Sequence, residues 1–120
     1  MTFTRYAIYY VPPAKAEWSR FASSWLGWDV HEGAPLDHPT GTGLDVAAIT
    51  DVPRKYGLHA TIKPPFRLAE GTTSDALAER FAQFAAAAKP VALDGLSLTR
   101  LGRFLALCPS GDQLGLNRLA

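Results

Sequence analysis

The sequence predicts an α+β fold, with two helices packed on a largely antiparallel sheet, and three observations carry that prediction. Leu58–Lys63 alternates apolar and polar residues with period two, the mark of a half-buried strand. Trp18, Phe21, Ala22 and Trp25 fall at i, i+3, i+4 and i+7, and Leu77, Phe81, Phe84, Ala85 and Ala88 form a second apolar stripe, so two amphipathic helices are expected. Two strand-like runs meet at Gly102, as in a hairpin. With 120 residues, 48% of them hydrophobic and 19% charged, the chain is sized for one domain over 1–120 with a real core.

Each element has a local reason. Arg5–Val11 is rich in aromatic and β-branched residues and is stopped by Pro12-Pro13, so it reads as the first strand. The first helical stripe follows and closes at Gly27. Asp29–Gly43 carries Gly33, Pro35, Pro39 and Gly41 and reads as a loop. Asp45–Thr50 fits a short helix or a strand, and Asp51–Gly57 reads as a connection. In Leu58–Lys63, Leu58, Ala60 and Ile62 point one way and His59, Thr61 and Lys63 the other, with Pro64-Pro65 ending the strand. Thr72–Asp75 supplies N-cap candidates for the second helix, which runs to Lys89-Pro90. Val91–Leu101 and Arg103–Cys108 form the hairpin strands. Pro109–Asp112 reads as a turn, and Gln113–Ala120 opens a new element with Leu114, Leu116 and Leu119, expected to lead into a further segment.

Composition removes several function classes. A net charge of +1 gives no basic excess for binding nucleic acid in bulk. Cys108 stands alone, so an internal disulfide and a zinc site built on Cys pairs are both excluded, and the thiol reads as a small hydrophobe in a strand. The first residues lack the basic and long apolar regions of a secretory signal, and no apolar run approaches the roughly 20 residues of a membrane span. A cytoplasmic protein with no membrane association is the expectation.

The chemistry concentrates on one strand face. His59, Thr61 and Lys63 follow one another about 7 Å apart. An imidazole moves protons near neutral pH, a hydroxyl donates to an oxyanion, and an ammonium adds positive charge, so the three suit a phosphoryl group. The plain alternative is a solvated strand face with a chance histidine, because His-x-Thr is a short pattern.

The flanking residues favour the chemical reading. Arg54-Lys55-Tyr56-Gly57-Leu58-His59-Ala60-Thr61-Ile62-Lys63-Pro64-Pro65-Phe66 resembles the signature of the two-histidine (LigT-like) phosphoesterase superfamily, in particular its branch associated with phosphonate metabolism. Arg5-Tyr6-Ala7-Ile8-Tyr9-Tyr10-Val11-Pro12-Pro13 resembles the first strand of that branch, Trp25-Leu26-Gly27 the end of its first helix, Phe66–Gly71 the extension of its motif and Leu101–Leu107 its later hairpin. The resemblance implies a bilobal fold in which each lobe gives one His-x-Thr/Ser strand to a cleft. The two histidines act as general acid and base on a cyclic phosphodiester, and the two hydroxyls hold its oxygens. Neither a metal nor another cofactor is implied. The substrates implied are small phosphorylated molecules, cyclic nucleotides or RNA ends.

By that pattern His59 and Thr61 are the first motif, and the chain is the N-terminal lobe, with 110–120 beginning the way to a second. The second motif does not occur. His38-Pro39-Thr40 is formally His-x-Thr but lies between Pro35 and Gly41, where a regular strand is not expected. His31 has no neighbouring hydroxyl and reads as a solvated loop residue. The chain alone is thus expected to be inactive or weak, unless two copies pair as a homodimer and each donates His59 and Thr61. A binding module for phosphate or phosphonate esters, or a truncated gene product, are the rival readings.

Further substrate-binding candidates are Lys63, Tyr56, Tyr9 and Arg5. Tyr6, Tyr9 and Tyr10 lie on the first strand, where core packing competes with lining the cleft; Arg5 and Tyr9 are the choices for the cleft. Tyr56 either stacks on a base or sugar or packs, and Lys63 either touches phosphate or is solvated. Arg67 and Arg103 read as solvated, and Trp18 and Trp25 as core.

Overall fold

A computed structural model of the chain describes residues 3–120. Five helices and six strands occur among them, and the α+β class expected from the sequence is what they form. The sheet differs from the expectation: the strands make three two-stranded ladders rather than one sheet. The chain divides into two compact units, Ala7–Pro65 and the residues up to Tyr6 together with Phe66–Ala120.

β1 (Tyr6–Tyr10), in the first unit except for Tyr6, is the hydrogen-bonded neighbour of β4 (Ala60–Phe66), in that unit except for Phe66. Helix α1 (Glu17–Leu26) ends where the glycine pattern says it should. Gly27 takes φ 83°, the left-handed conformation of a C-cap, and its N–H reaches the carbonyls of Ser23 and Ser24. A Cβ at Gly27 would lie 2.5 Å from His38 Cε1, so the imidazole packs directly over this cap. Trp18 and Phe21 on the expected core face stay exposed, while Trp25 is half-buried.

Several elements were not foreseen. β2 (Trp28–Asp29) and β3 (Ala34–Pro35) pair antiparallel inside the segment expected to be all loop. Asp29 Oδ1 accepts from the backbone N–H of His31 and of Glu32, which tightens the turn between them. Asp45–Thr50 resolves as a helix, α2 (Val46–Ile49), because Asp45 caps it through the Ala48 N–H. The expected connection after it contains α3 (Asp51–Arg54), whose Pro53 sits in a first turn where no N–H is needed. The buried centre of this unit is small: Val46, Ser19 and Thr50 are 4%, 4% and 2% exposed, and the Thr50 hydroxyl donates to the Val46 carbonyl at 2.7 Å.

β4 runs through Pro64 and Pro65 instead of stopping at them. Extended backbone accommodates the fixed φ of proline, and a two-stranded ladder leaves an edge of each strand without partners. The strand also begins one residue after His59, so the histidine stands at its entrance, and Ala60 is exposed rather than packed.

The second unit holds α4 (Ser74–Ala87), capped by the Thr73 hydroxyl at the Ala76 N–H, 3.1 Å. Its stripe of Phe81 and Phe84 remains exposed. β5 (Gly95–Leu101) and β6 (Phe104–Ser110) form the expected hairpin, with Leu101 opposite Phe104 and Gly102 at φ 60° in the turn. β5 starts at Gly95, later than Val91, and β6 continues through Pro109 and Ser110, which the sequence places in a turn. Cys108 lies on β6 as a half-buried free thiol. α5 (Leu114–Leu119) is the element foreseen after Gly111. Among the described residues no helix is long and apolar enough to cross a membrane.

Candidate functional site

The site is built in the Ala7–Pro65 unit. Arg54 organises the approach to it. Its Nε donates to the Leu26 carbonyl at the end of α1 (3.0 Å), and one Nη donates to the Ala47 carbonyl and to Thr50 Oγ1 (3.1 Å). One side chain thus ties α1, α2 and α3 together just before the chain turns towards His59. After α3, the N–H groups of Tyr56 and Gly57 both reach the Pro53 carbonyl.

Gly57 is buried at φ 71°, and a Cβ there would fall within the Val30 side chain. Only glycine fits this turn. Its carbonyl lies 3.0 Å from His59 Nδ1. A carbonyl oxygen only accepts, so Nδ1 donates. Neighbouring β1 supplies Tyr9, whose ring stacks on the imidazole at 4.1 Å between centroids and 26° between planes. Tyr56 lies tilted on the same imidazole at 6.5 Å and 42°. Tyr9 is 40% exposed and Tyr56 61%, so both present open ring surface beside a half-buried histidine.

Thr61 and Lys63 are exposed at alternate positions of β4, on the opposite side from half-buried Ile62. The strand therefore presents a hydroxyl and an ammonium beyond the histidine. Arg5, exposed and ahead of β1, falls in the other compact unit, whereas His59, Thr61, Lys63, Tyr9 and Tyr56 share one. Tyr6 sits 6.5 Å from Phe66, ring to ring, as a packing residue.

The other two histidines are committed elsewhere. His31 Nε2 lies 2.9 Å from the Pro12 carbonyl, and His38 Nδ1 lies 3.0 Å from the Trp25 carbonyl. His31 is the exposed turn residue that the sequence predicts, and its contact with Pro12 is one that only the fold reveals. His38-Pro39-Thr40 lies outside any strand. Gly57 and Arg54 have no assigned role in the sequence reading; the signal for the first was a glycine two residues before the histidine. Among the described residues, no cluster of three or more His, Cys, Asp or Glu could hold a metal ion. Two open depressions, of about 410 and 380 Å³, are lined by Phe84, Val91 and Arg118 in one case and by Trp28, Asp51 and Arg54 in the other; His59 lines neither.

The profile of a family described as "Protein of unknown function (DUF1045)" matches residues 61–120, half the chain. Two curated proteins with the name "Ribose 1,5-bisphosphate phosphokinase PhnN" are similar. The one from Janthinobacterium sp. (strain Marseille) is 36% identical over 119 residues, 95% of this chain and 26% of that protein. The one from Laribacter hongkongensis (strain HLHK9) is 36% identical over 103 residues, 80% of this chain and 25% of that protein. The chain spans about a quarter of the length of these relatives. No solved structure matches the chain.

Proposed function

We propose the following from the premise that this chain belongs to the DUF1045 family, proteins of unknown function. The chain carries one half of a two-histidine phosphoesterase site, which binds a small cyclic phosphodiester and supplies His59 as one proton-transfer group. Thr61 donates its hydroxyl to a phosphate oxygen, Lys63 offsets phosphate charge, and Tyr56 and Tyr9 bound the space beside the imidazole. The observation that supports this most directly is the histidine itself: fixed by the Gly57 carbonyl, stacked by Tyr9, and set at the entrance of a strand that offers Thr61 two residues on.

A place in phosphonate metabolism belongs to the same proposal through the family resemblance. The relatives are named for ribose 1,5-bisphosphate. Opening a 1,2-cyclic phosphate at its P–O2 bond leaves the phosphate on C1 and a hydroxyl on C2, so that ring is a reasoned substrate class beside 2′,3′-cyclic nucleotides. The sequence contains no Gly-Lys pair, so a P-loop for nucleotide phosphates is not on this chain, and phosphoryl transfer from a nucleotide is not proposed for it.

A second reading has its own support. Neither His31 nor His38 lies on a strand, so among the described residues His59 has no second His-x-Thr strand beside it in this unit. Binding without turnover is the form this would take, with a second copy of the chain as one source of the missing acid.

The test is titration of the chain with a 2′,3′-cyclic nucleotide and with ribose 5-phosphate bearing a 1,2-cyclic phosphate, followed by turnover assays with and without a chelator. Binding that weakens about tenfold or more in Thr61→Val and in Lys63→Ala is expected, since each removes a contact to a charged group worth about 1.5–3 kcal/mol. Turnover lost in His59→Ala and insensitive to chelation identifies the catalytic form, and binding with no turnover the second. Binding of neither ligand, or binding indifferent to all three substitutions, overturns the proposal.

A further inference from the structure

We infer that Gly57 and Tyr9 are positioning residues that keep the Nδ1 proton of His59 on the Gly57 carbonyl and so leave Nε2 as the atom that exchanges the proton in the reaction proposed above, on which this inference rests. The Gly57 oxygen carries no proton, so the 3.0 Å contact places the proton on Nδ1. A neutral imidazole has one N–H, and Nε2 is therefore left with its lone pair. Among the hydrogen bonds of the described residues none involves His59 Nε2. Tyr9 covers a ring face, not the ring edge, and so restrains the imidazole while leaving Nε2 open.

The carbonyl cannot drift to suit another tautomer. Gly57 is fixed at φ 71° against Val30, and both its own N–H and that of Tyr56 are bound to the Pro53 carbonyl. The position that orients the histidine is thus a property of the backbone turn, and glycine is what the turn requires.

The chemical consequence is an assignment of atoms. When water opens a cyclic phosphodiester, its oxygen bonds to phosphorus and the ring P–O bond breaks; Nε2 either takes the proton of the water or, as imidazolium, gives one to the leaving oxygen. Water or the imidazole of another His-x-Thr strand exchanges the other proton. One water is consumed, a phosphomonoester is formed, and His59 regains its starting proton count from solvent.

The experiment is a long-range proton–nitrogen correlation spectrum of the intact ¹⁵N-labelled chain at alkaline pH, with His59 assigned through His59→Asn. The expected result is a pyrrole-type Nδ1 and a pyridine-type Nε2 for His59. His31 serves as an internal control of opposite sense, because its Nε2 faces the Pro12 carbonyl. A His59 protonated on Nε2, or divided about equally between tautomers, overturns the inference. Gly57→Ala is expected to mix the tautomers and Gly57→Ala with Val30→Ala to restore part of the bias; Tyr9→Phe is expected to keep the single form and Tyr9→Ala to lose it. Should Gly57→Ala not fold, the spectrum of the unaltered chain and the Tyr9 pair still decide. An Nε2-protonated His59 with cyclic phosphate binding intact sinks this inference alone. An Nδ1-protonated His59 in a chain that binds no cyclic phosphate sinks the proposed function instead.

Discussion

Replacing Arg54 by alanine is expected to destabilise the Ala7–Pro65 unit by about 2 kcal/mol. The figure follows from what the guanidinium holds: the Leu26 carbonyl, the Ala47 carbonyl and Thr50 Oγ1. Three hydrogen bonds at about 1 kcal/mol net apiece give about 3 kcal/mol, and water reaching the freed carbonyls offsets part of it, because the side chain is 29% exposed. The pair with Asp51 adds nothing to the sum. It is 4.0 Å long, Asp51 is 70% exposed, and such surface pairs contribute between zero and about 1 kcal/mol.

The assay is urea unfolding followed by tryptophan fluorescence. Trp18, Trp25 and Trp28 are the three tryptophans of the chain, and all lie within this unit. The midpoint should fall with the slope unchanged, since the loss is of stability and not of compactness. Arg54→Lys separates geometry from charge. An ammonium retains the charge but cannot fork between three acceptors, so it should recover about a third of the loss. An Arg54→Ala midpoint within about 0.5 kcal/mol of the unaltered chain would refute the reasoning, as would full recovery by lysine, which would mean that charge alone mattered.

Two further substitutions probe the local rules. Gly27→Ala combines a φ of 83° with a Cβ only 2.5 Å from His38 Cε1, so the same fluorescence assay should show a loss of about 2 kcal/mol, and an unchanged midpoint would deny the close packing. Thr73→Ala removes the cap at the Ala76 N–H and should cost about 1 kcal/mol, seen as a lower midpoint by circular dichroism, with Thr73→Ser retaining the cap.

What the sequence revealed was whatever it encodes locally. Gly27 after an apolar stripe, Thr73 ahead of one, and Gly102 between two apolar runs each act within a few residues, and each did in the structure what its chemistry requires. Short elements were hidden for the same reason. β2 and β3 have two residues each, too few for a period, and Pro35 and Gly33 marked the segment as loop. Pro53 read as a break because its place in a first turn is visible only once the helix start is known. Pro64 and Pro65 read as a stop because the sequence does not say how many neighbours a strand has. The site divides along this line too. Thr61 and Lys63 were legible as one exposed face of β4, with His59 falling just ahead of the strand, whereas the contacts of Tyr9 with His59, His31 with Pro12 and His38 with Trp25 join residues 50, 19 and 13 positions apart.

The disposition of the three histidines bears on how activity would depend on concentration. A positioned base contributes about 10²–10⁴ to a proton-transfer step, and a positioned acid a comparable factor. With His59 taken as the base of the proposed reaction, the acid comes from elsewhere, because His31 and His38 lie outside any strand that would present them beside a hydroxyl. If water protonates the leaving oxygen, turnover per chain is independent of protein concentration and slower than that of a complete pair by about the factor the acid would contribute. If a second copy provides the acid, turnover per chain rises with concentration until pairing saturates, and mixing His59→Ala chains with intact ones lowers it below simple dilution. The shape of that curve separates a lone base from a shared site, and it does so without knowing which cyclic phosphate is the natural one.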